Sequence, residues 1–203
     1  MSKKPNAVKN EKCIAMDLEK GFVVTWDCSN GATSYKIVRK RVTKGKDVSE
    51  QTFTISSDEG RKGNKIIFND KSDKISANSE YRYVITATNS YGSSISKTTN
   101  DAKPGTSPKG SITRIAADVG KTNDINLSWQ SISRASLYYV YYQKNSSKTT
   151  LITKVSSTIV TLKRASIESG FVYIVPANGW GESKDVVSLW LSINGKAVSA
   201  YTR

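Results

Sequence analysis

The sequence predicts an all-β fold of two tandem seven-stranded β-sandwiches, on three observations. The same residue signposts recur in the same order along the chain. Short apolar stretches alternate with period two between turn-forming residues. No segment carries a long 3.6-residue apolar period with helix caps. A chain of 203 residues holds two β domains of about 100 residues each.

The first strands lie between Cys13 and Cys28. Ile14, Met16 and Leu18 alternate with Cys13, Ala15 and Asp17, and after Glu19-Lys20-Gly21 the alternation resumes as Phe22, Val24, Trp26 and Cys28. This predicts a hairpin with a three-residue loop, Gly21 taking the left-handed position. In that register Leu18 faces Phe22, Met16 faces Val24 and Ile14 faces Trp26. Cys28 then lies on the apolar face and Cys13 on the other. A cross-strand disulfide needs both Cβ atoms on one side, so two free thiols are expected.

The repeat sets the domain order. Trp26, Ala32, Tyr35 and Ile37 align without gaps on Trp129, Ala135, Tyr138 and Val140, 103 residues later. Asn89, Tyr91, Gly92 and Ser94 align on Asn178, Trp180, Gly181 and Ser183, 89 residues later. The first copy therefore carries extra residues between the two signposts. Turn-forming and proline residues between the copies read as a linker. The expected organisation is an N-terminal arm (1–9), a first domain (10–101), a linker (102–108), a second domain (109–192) and a C-terminal tail (193–203).

The unit resembles a fibronectin type III domain. Tyr81-Arg-Tyr83-Val-Ile85-Thr-Ala87-Thr-Asn89-Ser-Tyr91-Gly92 is similar to that family's sixth strand, with its tyrosine corner and following Asn and Gly. Trp26 and Trp129 match the second-strand tryptophan, and Tyr35 and Tyr138 the third-strand aromatic. The resemblance implies a seven-stranded, two-sheet sandwich with a binding or spacer role, and implies no particular ligand. The second copy departs from the pattern. Gly170 stands where the corner tyrosine belongs, and Pro176, which lacks a ladder donor, predicts a bulge or kink in the sixth strand.

Composition argues against an enzyme. Histidine is absent, which removes His-ligated metals, Ser-His-Asp triads and the commonest general base. Two cysteines cannot close a Cys₄ site or a dense disulfide framework. The acids Asp58, Glu59, Asp70 and Asp73 match no calcium-loop spacing. No catalytic residue, metal, cofactor or small-molecule substrate is expected. No apolar run is long enough to span a bilayer.

Two surfaces are candidates for binding. The net charge is +14, divided as +7 in residues 1–108 and +7 in 109–203. The densest basic run is Lys36, Arg39, Lys40, Arg41, Lys44 and Lys46, and with Arg61, Lys62 and Lys65 it forms a candidate site for a polyanion such as nucleic acid, teichoic acid or a glycan. The bland alternative is an edge strand studded with lysine against aggregation. In the second copy Tyr139 and Tyr141 point outward on the third strand and Tyr173 and Val175 on the sixth, with Trp190 of the last strand a further candidate to join them. They are expected to form one outward cluster, a candidate protein-contact surface or else cross-strand packing. Tyr91 and Trp180 occupy matching loop positions and are further contact candidates.

The function expected is a non-enzymatic structural or adhesive module that contacts other protein subunits. Met1 opens the sequence with no apolar stretch after it, so no export signal is expected. A surface-type module without one fits a virion, such as a phage head or tail decoration, or another extracellular surface. The alternatives are a tandem spacer or adhesion module of a secreted bacterial surface protein or enzyme, and a polyanion-binding basic module.

Overall fold

A computed structural model describes residues 3–44, 46–120, 122–145, 147–194 and 197–202. The chain divides into two compact units, residues 1–105 and 106–203. The first contains β1 (Lys12–Ala15), β2 (Phe22–Asp27), β3 (Ser34–Thr43), β4 (Lys46–Ser56), β5 (Arg61–Lys62), β6 (Lys65–Asp70), β7 (Glu80–Asn89), β8 (Gly92–Ser93) and β9 (Lys97–Thr98). One antiparallel sheet runs β1-β2-β6-β5, and the other runs β4-β3-β7, with β8 and β9 both on β7.

The second unit contains β10 (Ile115–Val119), β11 (Ile125–Trp129), β12 (Leu137–Gln143), β13 (Thr150–Val155), β14 (Ile159–Leu162), β15 (Gly170–Asn178), β16 (Gly181–Glu182), β17 (Ser188–Asn194) and β18 (Ala197–Thr202). Its sheets are β10-β11-β14 and β13-β12-β15-β17-β18, with β16 on β15. β18 pairs with β17 from Leu189↔Thr202 to Asn194↔Ala197, which makes residues 193–194 and 197–202 part of the sheet.

Strict alternation builds both cores. Burial switches residue by residue along β2 and β7, as a strand with one face on a core requires. Phe22 packs against the rings of Tyr81 and Tyr83 at 5.4 and 6.1 Å. The repeat extends to individual hydrogen bonds. The Tyr35 hydroxyl accepts from the Ser29 amide at 2.8 Å, and the Tyr138 hydroxyl from Ile132, 103 residues later, at 3.0 Å. Trp26 meets Tyr35 edge to face at 5.2 Å, as Trp129 meets Tyr138 at 5.4 Å.

Asn89 and Asn178 play one part twice. The Asn89 amide donates to Lys3 O and Gly31 O, both at 2.9 Å. The Asn178 amide donates to Thr106 O and Arg134 O, both at 3.0 Å. Each carboxamide oxygen accepts at 2.8 Å from the amide two residues on, that of Tyr91 or Trp180. Each Asn thus fastens the segment entering its sandwich to the loop after the second strand. Pro5 and Pro108, 103 residues apart, are both buried in those entering segments.

The corner tyrosine is present in one unit and replaced in the other. The Tyr81 hydroxyl accepts from the Ser76 amide at 2.8 Å. At Gly170, its counterpart, a Cβ would stand 2.8 Å from Tyr142 Cε2 and 2.7 Å from Gln143 O. The Tyr142 ring occupies that space, and its hydroxyl donates to Glu168 O at 3.2 Å.

Two expectations from the sequence are corrected. The first hairpin pairs Cys13 with Val24 and Ala15 with Phe22, so Cys13 is buried whereas Ile14 is 61% exposed. Asn100 holds Cys13 in this register: it accepts from the Cys13 amide and donates to the Cys13 carbonyl, both at 2.9 Å. Cys28, expected on the apolar face, is only half-buried, and both cysteines are free thiols. Glycine is required at position 21 by the approach of Asp70 O, 2.5 Å from where a Cβ would lie.

Pro176, in turn, causes no bulge. The pairing of β12 with β15 runs unshifted from Leu137↔Ala177 to Gln143↔Phe171. On its other side β15 meets β17 only from Gly170 to Tyr173 and β16 only at Ala177 and Asn178, and there the Pro176 carbonyl accepts from the Ser183 amide at 2.8 Å, so no amide donor is required of residue 176. In the first unit the matching residue, Ala87, donates its amide to Ser94 Oγ at 3.1 Å. Ser183 has no such donor at Pro176, and its hydroxyl instead bonds Gly110 O at 2.8 Å.

Candidate functional site

The aromatic candidates of the second unit come together as the alternation of β12 and β15 requires. Tyr139 lies opposite Val175 and Tyr141 opposite Tyr173. Phe171, next on the same face of β15, lies opposite Trp190 of β17, which lies opposite Tyr201 of β18. The result is a diagonal band of rings across β12, β15, β17 and β18. Tyr139 and Tyr141 stand 6.4 Å apart at 29°, and Phe171 and Trp190 meet edge to face at 4.9 Å.

Polar groups edge the band. The Tyr173 hydroxyl donates to Gln143 Oε1 at 2.7 Å. The Lys154 ammonium sits 4.6 Å from the Tyr139 ring centroid, a cation held by the negative π face. The Tyr141 phenol is raised above its ordinary pKa, first by burial and then by the Glu182 carboxylate and Tyr139.

Tyr139, Tyr141, Tyr173 and Trp190 are half-buried in the band, whereas Val175 and Trp180 are buried, which takes those two off the list of surface contacts. Tyr91 is 57% exposed in the first unit. Phe171 and Tyr201 were missed in the sequence. Phe171 shares the parity of Tyr173 and was legible. Tyr201 was hidden because 193–203 reads as a tail, although Val198, Ala200 and Ser199, Tyr201 alternate as a strand does.

The basic candidates do not form one face. Lys36, Arg39, Lys40 and Arg41 belong to β3, Lys44 to the turn after it and Lys46 to β4, while Arg61, Lys62 and Lys65 belong to β5 and β6 of the opposite sheet. Arg39 is a correction. It continues the inward parity of Tyr35 and Ile37, is 1% exposed, and its Nη1 donates to both Asp70 oxygens at 3.2 and 2.9 Å. The Tyr83 hydroxyl donates to the same carboxylate at 2.7 Å. Gln51 accepts from Arg39 Nη2 at 3.2 Å, and Glu50 lies 3.4 Å from its Nε. Arg39 is therefore committed to the core.

Four others are engaged at the surface: Lys40 with Asp47, Arg41 with Glu50, Arg61 with Asp58 and Lys65 with Asp27. Lys36, Lys44, Lys46 and Lys62 are exposed. Among the described residues no group of three His, Cys, Asp or Glu gathers as a metal site, and no helix is long and apolar enough to cross a membrane.

No protein-family model and no curated protein matches the chain. Among solved structures it is similar to tandem fibronectin type III domains. The chicken CNTN1 FN1-FN3 domains are 14% identical, covering 95% of this chain and 69% of that one, with a TM-score of 0.43. A two fibronectin type-III domain segment from chicken tenascin is 17% identical, covering 92% of this chain and 99% of that one, with a TM-score of 0.39.

Proposed function

We propose that this tandem of fibronectin type III-like sandwiches is a non-enzymatic structural and adhesive module of a surface assembly, such as the head or tail of a phage particle. Its contact face is the aromatic band of the second sandwich, and other protein subunits are the first partners to test. The band is the observation that carries this reading: a continuous run of half-buried rings on the outer face of a sheet is unusual on a surface and typical of contact sites.

The polyanion alternative draws on the remaining lysines, Lys36, Lys44, Lys46 and Lys62. It is weakened by the burial of Arg39 and by the spread of its candidates over two sheets.

Fractionation of the native source with intact-mass spectrometry tests the assignment. The chain is expected in purified particles, and Tyr139→Ser with Tyr141→Ser is expected to lower its incorporation while both sandwiches stay folded. Recovery in the cell envelope within a longer polypeptide would favour the spacer or adhesion module of a secreted bacterial protein. Undiminished incorporation of the double variant would remove the aromatic face from the reading.

A further inference from the structure

We propose that the aromatic band of the second sandwich binds a neutral polysaccharide, stacking successive pyranose rings along Tyr139, Tyr141, Tyr173 and Trp190. The inference rests on that face being the module's contact surface and assigns it a polysaccharide in place of a protein subunit.

The first argument compares the two units. The residues that build the sandwich recur in both: Trp26 and Trp129, Tyr35 and Tyr138, Asn89 and Asn178. The outer face does not. Tyr139 and Tyr141 stand where the first unit has Lys36 and Val38, and Tyr173 and Val175 where it has Val84 and Thr86. The sandwich folds without aromatic residues at these positions, so their presence in one copy calls for a reason outside the fold.

The second argument is shape. The rings form a strip rather than a rounded patch, running from Tyr139 on β12 across β15 and β17 to Tyr201 on β18. Three strand spacings across and four residues along make it about 20 Å long, enough for several sugar units in a row. A strip fits a chain-like ligand.

Chemistry and charge narrow the class. A pyranose ring presents C–H groups on its faces and hydroxyls around its rim. The negative π faces of Tyr and Trp attract the C–H groups, while the Tyr hydroxyls, Gln143 and Ser188 offer hydrogen bonds to the rim. Lys154 lies over Tyr139 and Glu182 pairs with Ala177, which shares the parity of Tyr173 and Val175 on β15, so opposite charges flank the strip and favour a neutral chain over an acidic one. A second copy of this protein is a poor occupant, because it would bring a net charge of +14 against +14.

Affinity electrophoresis of the full chain tests this against a soluble β-1,4-glucan, an N-acetylglucosamine oligomer, an α-1,6-glucan and, as the acidic arm, heparin. At least one neutral polymer is expected to bind, with little change between about 50 and 200 mM salt, where phosphate-type contacts lose most of their strength. Tyr139→Ser with Tyr141→Ser is expected to weaken binding at least about tenfold, corresponding to about 1.4 kcal/mol, while Tyr139→Phe with Tyr141→Phe, which keeps the rings and loses only the hydroxyl bonds to the rim, weakens it less. Tyr201→Ser, at the outermost strand, gives a second loss of binding should the double serine variant fail to fold. Failure of every neutral polymer, or binding confined to heparin and abolished by salt, overturns the proposal. If no sugar binds yet particle incorporation still needs Tyr139 and Tyr141, the polysaccharide falls and the protein-contact reading stands.

Discussion

Arg39 and Tyr142 hold the same strand position in the two sandwiches, 103 residues apart, and build two different interiors. In the first, Arg39 grips Asp70 through two hydrogen bonds of 3.2 and 2.9 Å, with Tyr81 6.0 Å from its guanidinium carbon. In the second, Tyr142 leans into the space left at Gly170. Asp70 pairs with Phe22 as Leu162 pairs with Ile125, so the buried carboxylate of one unit is a leucine in the other. Tyr83 likewise matches Val172. One fold therefore tolerates an ionic or an apolar filling at the same site.

That comparison predicts an asymmetry between breaking and replacing the pair. Arg39→Ala leaves Asp70 buried without its cation and is expected to cost the first sandwich about 3–5 kcal/mol. Arg39→Met with Asp70→Leu and Tyr83→Phe removes the buried pair and the hydroxyl bonded to it together, leaving only Glu50 and Gln51, and is expected to cost much less, such replacements often being close to neutral. Urea unfolding of the three proteins measures both. A single variant within about 0.5 kcal/mol of wild type would mean that the buried pair contributes almost nothing.

The two asparagine clamps are expected to differ in strength because their surroundings differ. Asn178 is buried at 6%, so Asn178→Ala leaves the Thr106 and Arg134 carbonyls poorly solvated, at a cost of about 2–3 kcal/mol. Asn89 is only half-buried, and water replaces part of what Asn89→Ala removes, for a cost of about 1 kcal/mol. Equal losses in denaturant titrations would contradict the role given to burial.

Much of this fold was legible because its determinants are local or repeated. Trp26, Tyr35 and Asn89 each fix a contact within their own motif, and the second copy repeats the spacing. The first hairpin was misread because Cys13 and Ala15 are nearly as apolar as Ile14 and Met16, so alternation alone could not choose the inward face. The observed register carries two bonds between the Cys13 backbone and Asn100, 87 residues away in sequence, which no local pattern reveals. Arg39 had the inward parity of Tyr35 and Ile37 in plain view, but its partner Asp70 lies in a different strand that no local pattern connects to it. The aromatic band was legible from parity up to Trp190 and lost where β18 reads as a tail.

The register of that hairpin has a chemical consequence. Burial, with a smaller contribution from Asp70, pushes the Cys13 thiol up to about 12, so it holds almost no thiolate at neutral pH. Cys28 is half-buried at the end of the second strand. Titration with an aromatic disulfide reagent near pH 8 is expected to modify Cys28 in the native protein, and Cys13 only after denaturation. Rapid native modification of Cys13 would restore the register that puts it on the outer face.

Acid sensitivity of the second sandwich should trace to Asp124. The Lys163 ammonium donates to its carboxylate at 2.7 Å, with the Arg164 amide at 3.3 Å and the Thr122 hydroxyl at 3.0 Å. These bonds, that of Lys163 first, hold the carboxyl below the usual carboxylate range. A group whose folded pKa is depressed stabilises the fold above its unfolded value, about 3.9 for aspartate, and that stabilisation is lost as pH falls through the lower, folded value. Asp124→Asn should therefore lower the melting temperature of the second sandwich at pH 6, and the gap to wild type should close progressively as the pH is lowered below that range. A gap that stays constant down to the acid limit would mean that the carboxylate charge is not what Lys163 and its neighbours stabilise.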